Sequence, residues 1–140
     1  MLLVADKWDF SRIMELKSSY IYIKGARFRA CIGVSELERE VGNDYVADLR
    51  LRYHIGKAML TDDVNDTISY ADVYDIVKET MQQPAKLLEY VAHRIAEKLE
   101  QAFPNIEAID LCLIKLNPPM GADCNGAGVE LHLINDKTKC

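Results

Sequence analysis

Thr61-Asp62-Asp63-Val64-Asn65-Asp66-Thr67-Ile68-Ser69-Tyr70-Ala71-Asp72-Val73 divides the chain into a strand-rich half and a helix-rich half. It begins acidic and polar and then becomes a helix start. Ser69, with Asp72 three residues on, has the spacing of a capping box, in which the serine oxygen accepts a backbone N–H and the carboxylate reaches back. Tyr70 then falls in a first helical turn, beside a loop with enough polar groups to line a site. On this stretch alone, a packed phenol is a better reading than a reacting one.

Upstream the chain reads as strands. Ile21 and Ile23 alternate with Tyr22 and Lys24, and Gly25 breaks the phase as a bulge does. Phe28, Ala30 and Ile32 then oppose Arg27, Arg29 and Cys31 until Gly33 closes the strand. Val34 to Gly42 is carboxylate-rich and reads as a connection. Ala47, Leu49, Leu51, Tyr53 and Ile55 share one face of the next strand, and Val46, Asp48, Arg50, Arg52 and His54 share the other. Such strict alternation predicts a half-buried antiparallel strand. Its charged face need not meet bulk water; in an oligomer it would line a lumen.

Downstream the period changes. Val73, Ile76, Val77 and Met81 form one helical stripe, which Pro84 stops before opening the next helix in its first turn. Leu88, Val91, Ala92, Ile95, Ala96, Leu99 and Phe103 keep helical spacing up to Pro104. Two strands follow, with Ile109, Leu111 and Leu113 on one face of the first and Lys115 at its end, and with Val129, Leu131 and Leu133 in the second. The order predicts an α+β domain: an antiparallel four-stranded sheet with two helices on one face. Such a sheet has two open edges, and closing several sheets into a ring covers them, so a homo-oligomer is expected.

One hundred and forty residues suit one domain, read here as residues 19–140, with residues 1–18 as an extension of unknown role. Trp8, Ile13, Met14 and Leu16 give that extension only a weak amphipathic turn. The net charge of −5 argues against a general nucleic-acid binder. No stretch is long and apolar enough to span a bilayer, and the N-terminus lacks a signal-peptide pattern. Cys31, Cys112, Cys124 and Cys140 form no CxxC pair and read as free thiols in a reducing cytoplasm. His54, His93 and His132 lack ligand spacing, so no metal site is expected. There is no Walker loop, GxGxxG or GxSxG; Gly126-Ala127-Gly128 reads as a turn into a strand.

Four residues remain as candidates for chemistry. Glu89 lies in the first turn of the long helix, where the dipole favours a carboxylate; a purely stabilising charge explains it equally well. Lys115 lies on the apolar parity of its strand, before Pro118-Pro119. It is open to two readings, a snorkelling strand-end lysine or a partly buried amine suited to proton transfer. Tyr70 is the third. Glu38 is the fourth, although Glu36, Glu38 and Glu40 together look like a solvated charge run.

Taken in order and spacing, several short pieces resemble the dihydroneopterin aldolase family from about Tyr20 to Leu133. They are Ile23-Lys24-Gly25-Ala26-Arg27-Phe28, Ile32-Gly33-Val34, Glu38-Arg39-Glu40-Val41-Gly42, Thr61-Asp62-Asp63-Val64, Asp66-Thr67-Ile68-Ser69-Tyr70, Leu87-Leu88-Glu89 and Lys115-Leu116-Asn117-Pro118-Pro119. The resemblance implies a ββααββ tunnelling fold whose protomers close into a tetrameric barrel or a stacked octamer. It implies a lyase of folate biosynthesis that cuts 7,8-dihydroneopterin into 6-hydroxymethyl-7,8-dihydropterin and glycolaldehyde, with 2′-epimerase activity in many members. No metal, Schiff base or other cofactor is implied, because the pterin's own C=N bond takes up the electrons.

By the same resemblance Glu89 anchors the pterin's 2-amino group and N3–H, and Lys115 is the acid/base. Tyr70 exchanges protons from a neighbouring protomer, and Glu38 supports the water network. Leu88 and the backbone at Ile68 and Ser69 complete the pterin slot. Ser69 departs from members that carry histidine there. An epimerase acting on the triphosphate is the nearest alternative, disfavoured by the acidic framing of Glu36, Glu38, Glu40, Asp62 and Asp63. A zinc-dependent pterin synthase of the same fold lacks its histidine set here. A non-catalytic pterin-binding ring would be expected to have lost Tyr70 or Lys115.

Overall fold

The computed structural model describes residues 14–136, so Trp8, Ile13 and Cys140 lie outside the described residues. Residues 14–19 form neither helix nor strand. Four strands, β1 (Tyr20–Ala30), β2 (Asn43–Arg52), β3 (Ala108–Lys115) and β4 (Ala127–Ile134), pair antiparallel in the order β1-β2-β3-β4. Short helices α1 (Glu36–Val41) and α2 (Gly56–Thr61) punctuate the strand half, and α3 (Tyr70–Met81) and α4 (Leu88–Ala102) supply the layer over the sheet.

The period-two and helical patterns meet in a single core. Phe28, Ala47, Leu49, Leu51, Leu111 and Leu113 from the sheet pack with Val73, Val77, Met81, Val91, Ile95 and Leu99 from the long helices. Leu99 and Leu113 are fully buried, and truncating either to alanine would cost about 2–5 kcal/mol. Gly25 is the bulge: the register shifts between Ile23 and Ala26, and its φ of 67° lies in the left-handed region that glycine tolerates. The N–H it withdraws from the ladder donates to Asp48 Oδ1 at 2.6 Å. Cys31, Cys112 and Cys124 are free thiols.

Five expectations need correction. Val34 to Gly42 is not a plain connection, because Ser35 caps a helical turn there. The first strand ends at Ala30; Ile32 instead makes one parallel bridge to Ala85, and Gly33 continues that tie by donating to the Ala85 carbonyl. The second strand starts at Asn43 and stops at Arg52, where the chain turns into α2 before Tyr53 and Ile55 can extend the ladder. Pro84 ends α3 but does not open α4, which starts at Leu88 once Ala85 has been held by the bridge. Finally, Ser69 occupies the N-cap of α3 without a side-chain cap hydrogen bond, so the Ser69–Asp72 box does not form.

The acidic loop before α3 uses its polar groups on itself. The Thr61 hydroxyl donates to Asp66 Oδ2 at 2.7 Å, Lys57 pairs with Asp66 at 3.2 Å, and Asp63 Oδ1 accepts the Asn65 N–H at 2.9 Å. The Thr61 hydroxyl first, and Lys57 after it, hold the Asp66 carboxyl below its ordinary range. These side chains build a 3₁₀ turn over Val64–Asp66 that delivers Ile68 to the core and Tyr70 to the surface.

Candidate active site

Lys115 is the last residue of β3, opposite Tyr45 on one side and Ala127 on the other. Its place on the inward parity keeps the ammonium close to the end of the core, with the side chain 13% exposed. There it donates to Glu38 Oε2 at 3.0 Å. Glu38 is therefore not part of a solvated run with Glu36 and Glu40, which are exposed.

Glu38 owes its position to helix α1. It is the third helical residue, and it forms the capping box that Ser69 and Asp72 do not. Its backbone N–H donates to Ser35 Oγ at 3.1 Å, and its Oε1 accepts the Ser35 N–H at 3.4 Å. One carboxylate oxygen thus faces the helix start and the other faces the lysine. The lysine hydrogen bond above all, with help from Ser35 and against desolvation, holds the Glu38 carboxyl below its ordinary 4.5.

The surroundings are tied down by backbone contacts. Tyr45 is fully buried beneath the pair; its phenol donates to the Ile32 carbonyl at 2.7 Å, and Lys115 Nζ stands 5.9 Å from its ring centre. Burial first, and the Glu38 charge second, push the Tyr45 phenol up to about 12. Asn43 holds the segment after Lys115: its amide donates to the Asn117 carbonyl at 2.7 Å, and its Oδ1 accepts the Asn117 N–H at 3.2 Å. A cleft of about 390 Å³ opens alongside, bordered by Arg29, Leu37, Glu38, Asn43, Asn117 and Pro119. The bridge from Ile32 to Ala85 ties the segment just before α4, which opens with Leu88 and Glu89, to the chain just before Ser35.

The other expected residues differ in exposure. Leu88 is half-buried against the core, Glu89 is exposed, Ile68 is a core residue, and Ser69 is exposed. Tyr70 is 70% exposed. Among the described residues, no hydrogen bond or ion pair joins Tyr70 or Glu89 to Glu38 or Lys115. A larger hollow of about 640 Å³ lies on the helix-free face of the sheet, lined by Tyr22, Lys24, Asp48, Arg50, Asp110 and His132 among others. Among the described residues, no group of three or more His, Cys, Asp or Glu is placed to hold a metal ion, and no helix is long and apolar enough to cross a membrane.

The sequence reading missed Ser35, Tyr45 and Asn43. Ser35-x-x-Glu38 has the capping-box spacing and was legible; Tyr45 continues the inward parity of Ala47 and Leu49; Asn43 carries no sequence signal for its contact with Asn117.

The family model described as dihydroneopterin aldolase matches residues 21–132. A dihydroneopterin aldolase of Staphylococcus epidermidis is 32% identical over 117 residues, covering 83% of this chain and 97% of that protein. One from Streptococcus pyogenes is 34% identical over 113 residues, covering 80% and 95%. The crystal structure of E. coli dihydroneopterin aldolase in complex with neopterin superposes with a TM-score of 0.75 at 29% identity, covering 81% of this chain and 97% of that one.

Proposed function

The chain belongs to the dihydroneopterin aldolase family, a family of lyases in folate biosynthesis, and from that premise we propose how its own residues carry out the cleavage of 7,8-dihydroneopterin. The half-buried Glu38–Lys115 pair is the observation that carries the proposal. A lysine held against a carboxylate at the end of a strand, beside an open cleft, is placed for proton transfer.

The reaction asks little of the protein beyond binding and moving protons. A base removes the proton of the 2′-hydroxyl, the C1′–C2′ bond breaks, and glycolaldehyde leaves. The bonding pair passes into the pterin's C=N system, giving an enol-like intermediate. Protonation at C1′ then yields 6-hydroxymethyl-7,8-dihydropterin. The ring itself is the electron sink, so no metal or Schiff base is required by this scheme.

In this scheme Glu89 accepts the two adjacent donors of the pterin, the 2-amino group and N3–H, in a charge-assisted bidentate contact. Its exposure at the start of α4, with Leu88 beside it, supports that role. Lys115 relays the protons and Glu38 holds it. Tyr70, with the backbone at Ile68 and Ser69, completes the site from a neighbouring protomer. The exposed phenol supports this, as do the open edges of β1 and β4 and the exposed apolar residues Val34, Leu37, Val41 and Val64. The helix-free, charged face would line the lumen of that ring. A domain of residues 19–140 working in the cytoplasm completes the proposal.

Incubation with 7,8-dihydroneopterin in the presence of a chelator, followed by chromatography of the pterins, tests it. Formation of 6-hydroxymethyl-7,8-dihydropterin with glycolaldehyde is expected. Dihydromonapterin as the sole product would move the assignment to an epimerase, and no product from an assembled oligomer would overturn it.

A further inference from the structure

The Glu38 carboxylate is aimed by a small device of its own. Gly33 lies directly against it: a Cβ on Gly33 would stand 2.4 Å from Glu38 Cβ and 2.8 Å from Oε2. The first of these distances is to an atom fixed by the α1 backbone, so no rotamer change relieves it. Gly33 is buried, and its φ does not fall in the left-handed region, so its missing side chain serves space and not backbone freedom. Arg39, one turn along α1, folds back and donates from Nη1 to the carbonyls of Gly33 and Val34 at 2.9 and 2.8 Å. The Gly33 N–H is fixed in turn on the Ala85 carbonyl at 3.0 Å. Ser35 closes the arrangement through the capping box, which occupies Oε1 and leaves Oε2 to the lysine.

Building on the role assigned to Glu38 and Lys115 above, we propose that Gly33 and Ser35 are positioning residues for the reaction: Gly33 admits Glu38 to the lysine, and Ser35 fixes which way its carboxylate points. A capping box would serve the start of this six-residue helix in any case, but the helix start needs neither the space that Gly33 leaves for the Glu38 side chain nor the contact of Oε2 with Lys115. Nothing in α1 is buried, so the turn contributes little to the core, while Gly33, Ser35 and Lys115 all meet at its one carboxylate, that of Glu38.

The test compares Ser35→Ala, Ser35→Thr, Gly33→Ala and Glu38→Gln in the assembled enzyme, measuring kcat and KM for 7,8-dihydroneopterin across pH. Misplacing a catalytic group by about 1 Å can cost up to ~100-fold, so a fall in kcat of roughly tenfold is expected for Ser35→Ala and more for Gly33→Ala, with KM little changed. Ser35→Ala keeps the backbone N–H that donates to Oε1 but removes the hydroxyl's own 3.5 Å contact with that oxygen, which favours the ionised carboxylate, so the acid limb of the kcat profile should move slightly to higher pH. Threonine keeps the accepting hydroxyl and should restore both. A slow Glu38→Gln beside Ser35→Ala and Gly33→Ala enzymes of unchanged kcat and pH profile would overturn the positioning role and leave the proposed function standing. A Glu38→Gln enzyme as fast as the parent would remove the role of Glu38, and this inference with it.

Discussion

The two ends of the candidate site are built differently. Around Lys115 everything is engaged within one chain: Nζ on Glu38, Glu38 on Ser35, Tyr45 on Ile32, and Asn43 on Asn117. At Tyr70 and Glu89 the side chains are exposed, and no contact within the described residues holds either against the pair. An ion pair half out of water is fixed by its own hydrogen bonds and is ready before substrate arrives. A phenol at the surface has no fixed direction until something packs against it. The difference teaches that one chain fixes the Glu38–Lys115 pair by itself and leaves Tyr70 and Glu89 exposed, which is the arrangement the proposed sharing of the site between protomers calls for.

Removing the engaged end should have the largest effect. Lys115→Ala is expected to lower kcat by about 10³, in the range of a lost general acid/base, while pterin affinity in a titration stays within a few-fold. It also leaves Glu38 without its partner, so a lower Tm should accompany the loss. An enzyme that turns over normally without Lys115 would erase the distinction between the two ends. Glu89→Ala should do the reverse: affinity falls roughly 100-fold, as expected for a lost bidentate charged contact, while Tm falls only slightly, by what an exposed carboxylate contributes in the first turn of α4. Normal pterin affinity in that variant would rule out the anchor.

Sharing between protomers is tested by mixing. Tyr70→Phe and Lys115→Ala subunits should each be poorly active alone. Co-assembled, they should recover up to roughly a quarter of parental activity, since random mixing gives that share of sites an intact lysine on one chain and an intact tyrosine on its neighbour. Co-assembled oligomers with no recovery would mean that both residues serve the site from the same chain.

The larger parts of the fold were legible because they repeat. The stripe from Leu88 to Phe103 and the alternation from Ala47 to Leu51 each sample the same burial several times, and the structure keeps both. Single-copy features were harder to place. Pro84 has the signature of a helix start, yet the parallel bridge between Ile32 and Ala85 delays α4 to Leu88, a contact 53 positions apart that no local rule contains. Ser69 and Ser35 carry the same box spacing, and only Ser35 makes the bonds, a difference that the spacing itself does not contain. Glu38 illustrates the same limit. Its neighbours Glu36 and Glu40 have the same chemistry, and what sets it apart is a lysine 77 residues away. The resemblance to a family pointed to the pair; the sequence periodicity by itself did not.

The smallest expected effect isolates that pair thermodynamically. Glu38 in the folded chain has its carboxyl held below the ordinary 4.5, chiefly by Lys115. A depressed folded value means that the pair's contribution to stability is fully present above about pH 4.5 and is lost as the pH falls through the folded value. Parent and Glu38→Gln should therefore differ in Tm by a few degrees near pH 7, roughly what 1 kcal/mol gives in a domain of this size, and the gap should close as the solution is taken toward pH 3. Asp110, held low first by His132 and then by Arg50, also loses stabilisation in acid, but it does so in both proteins and cancels in the difference. A gap that stays constant across this range would mean that the carboxylate and the lysine do not interact in solution, and the contrast between the two ends of the site would lose its physical basis.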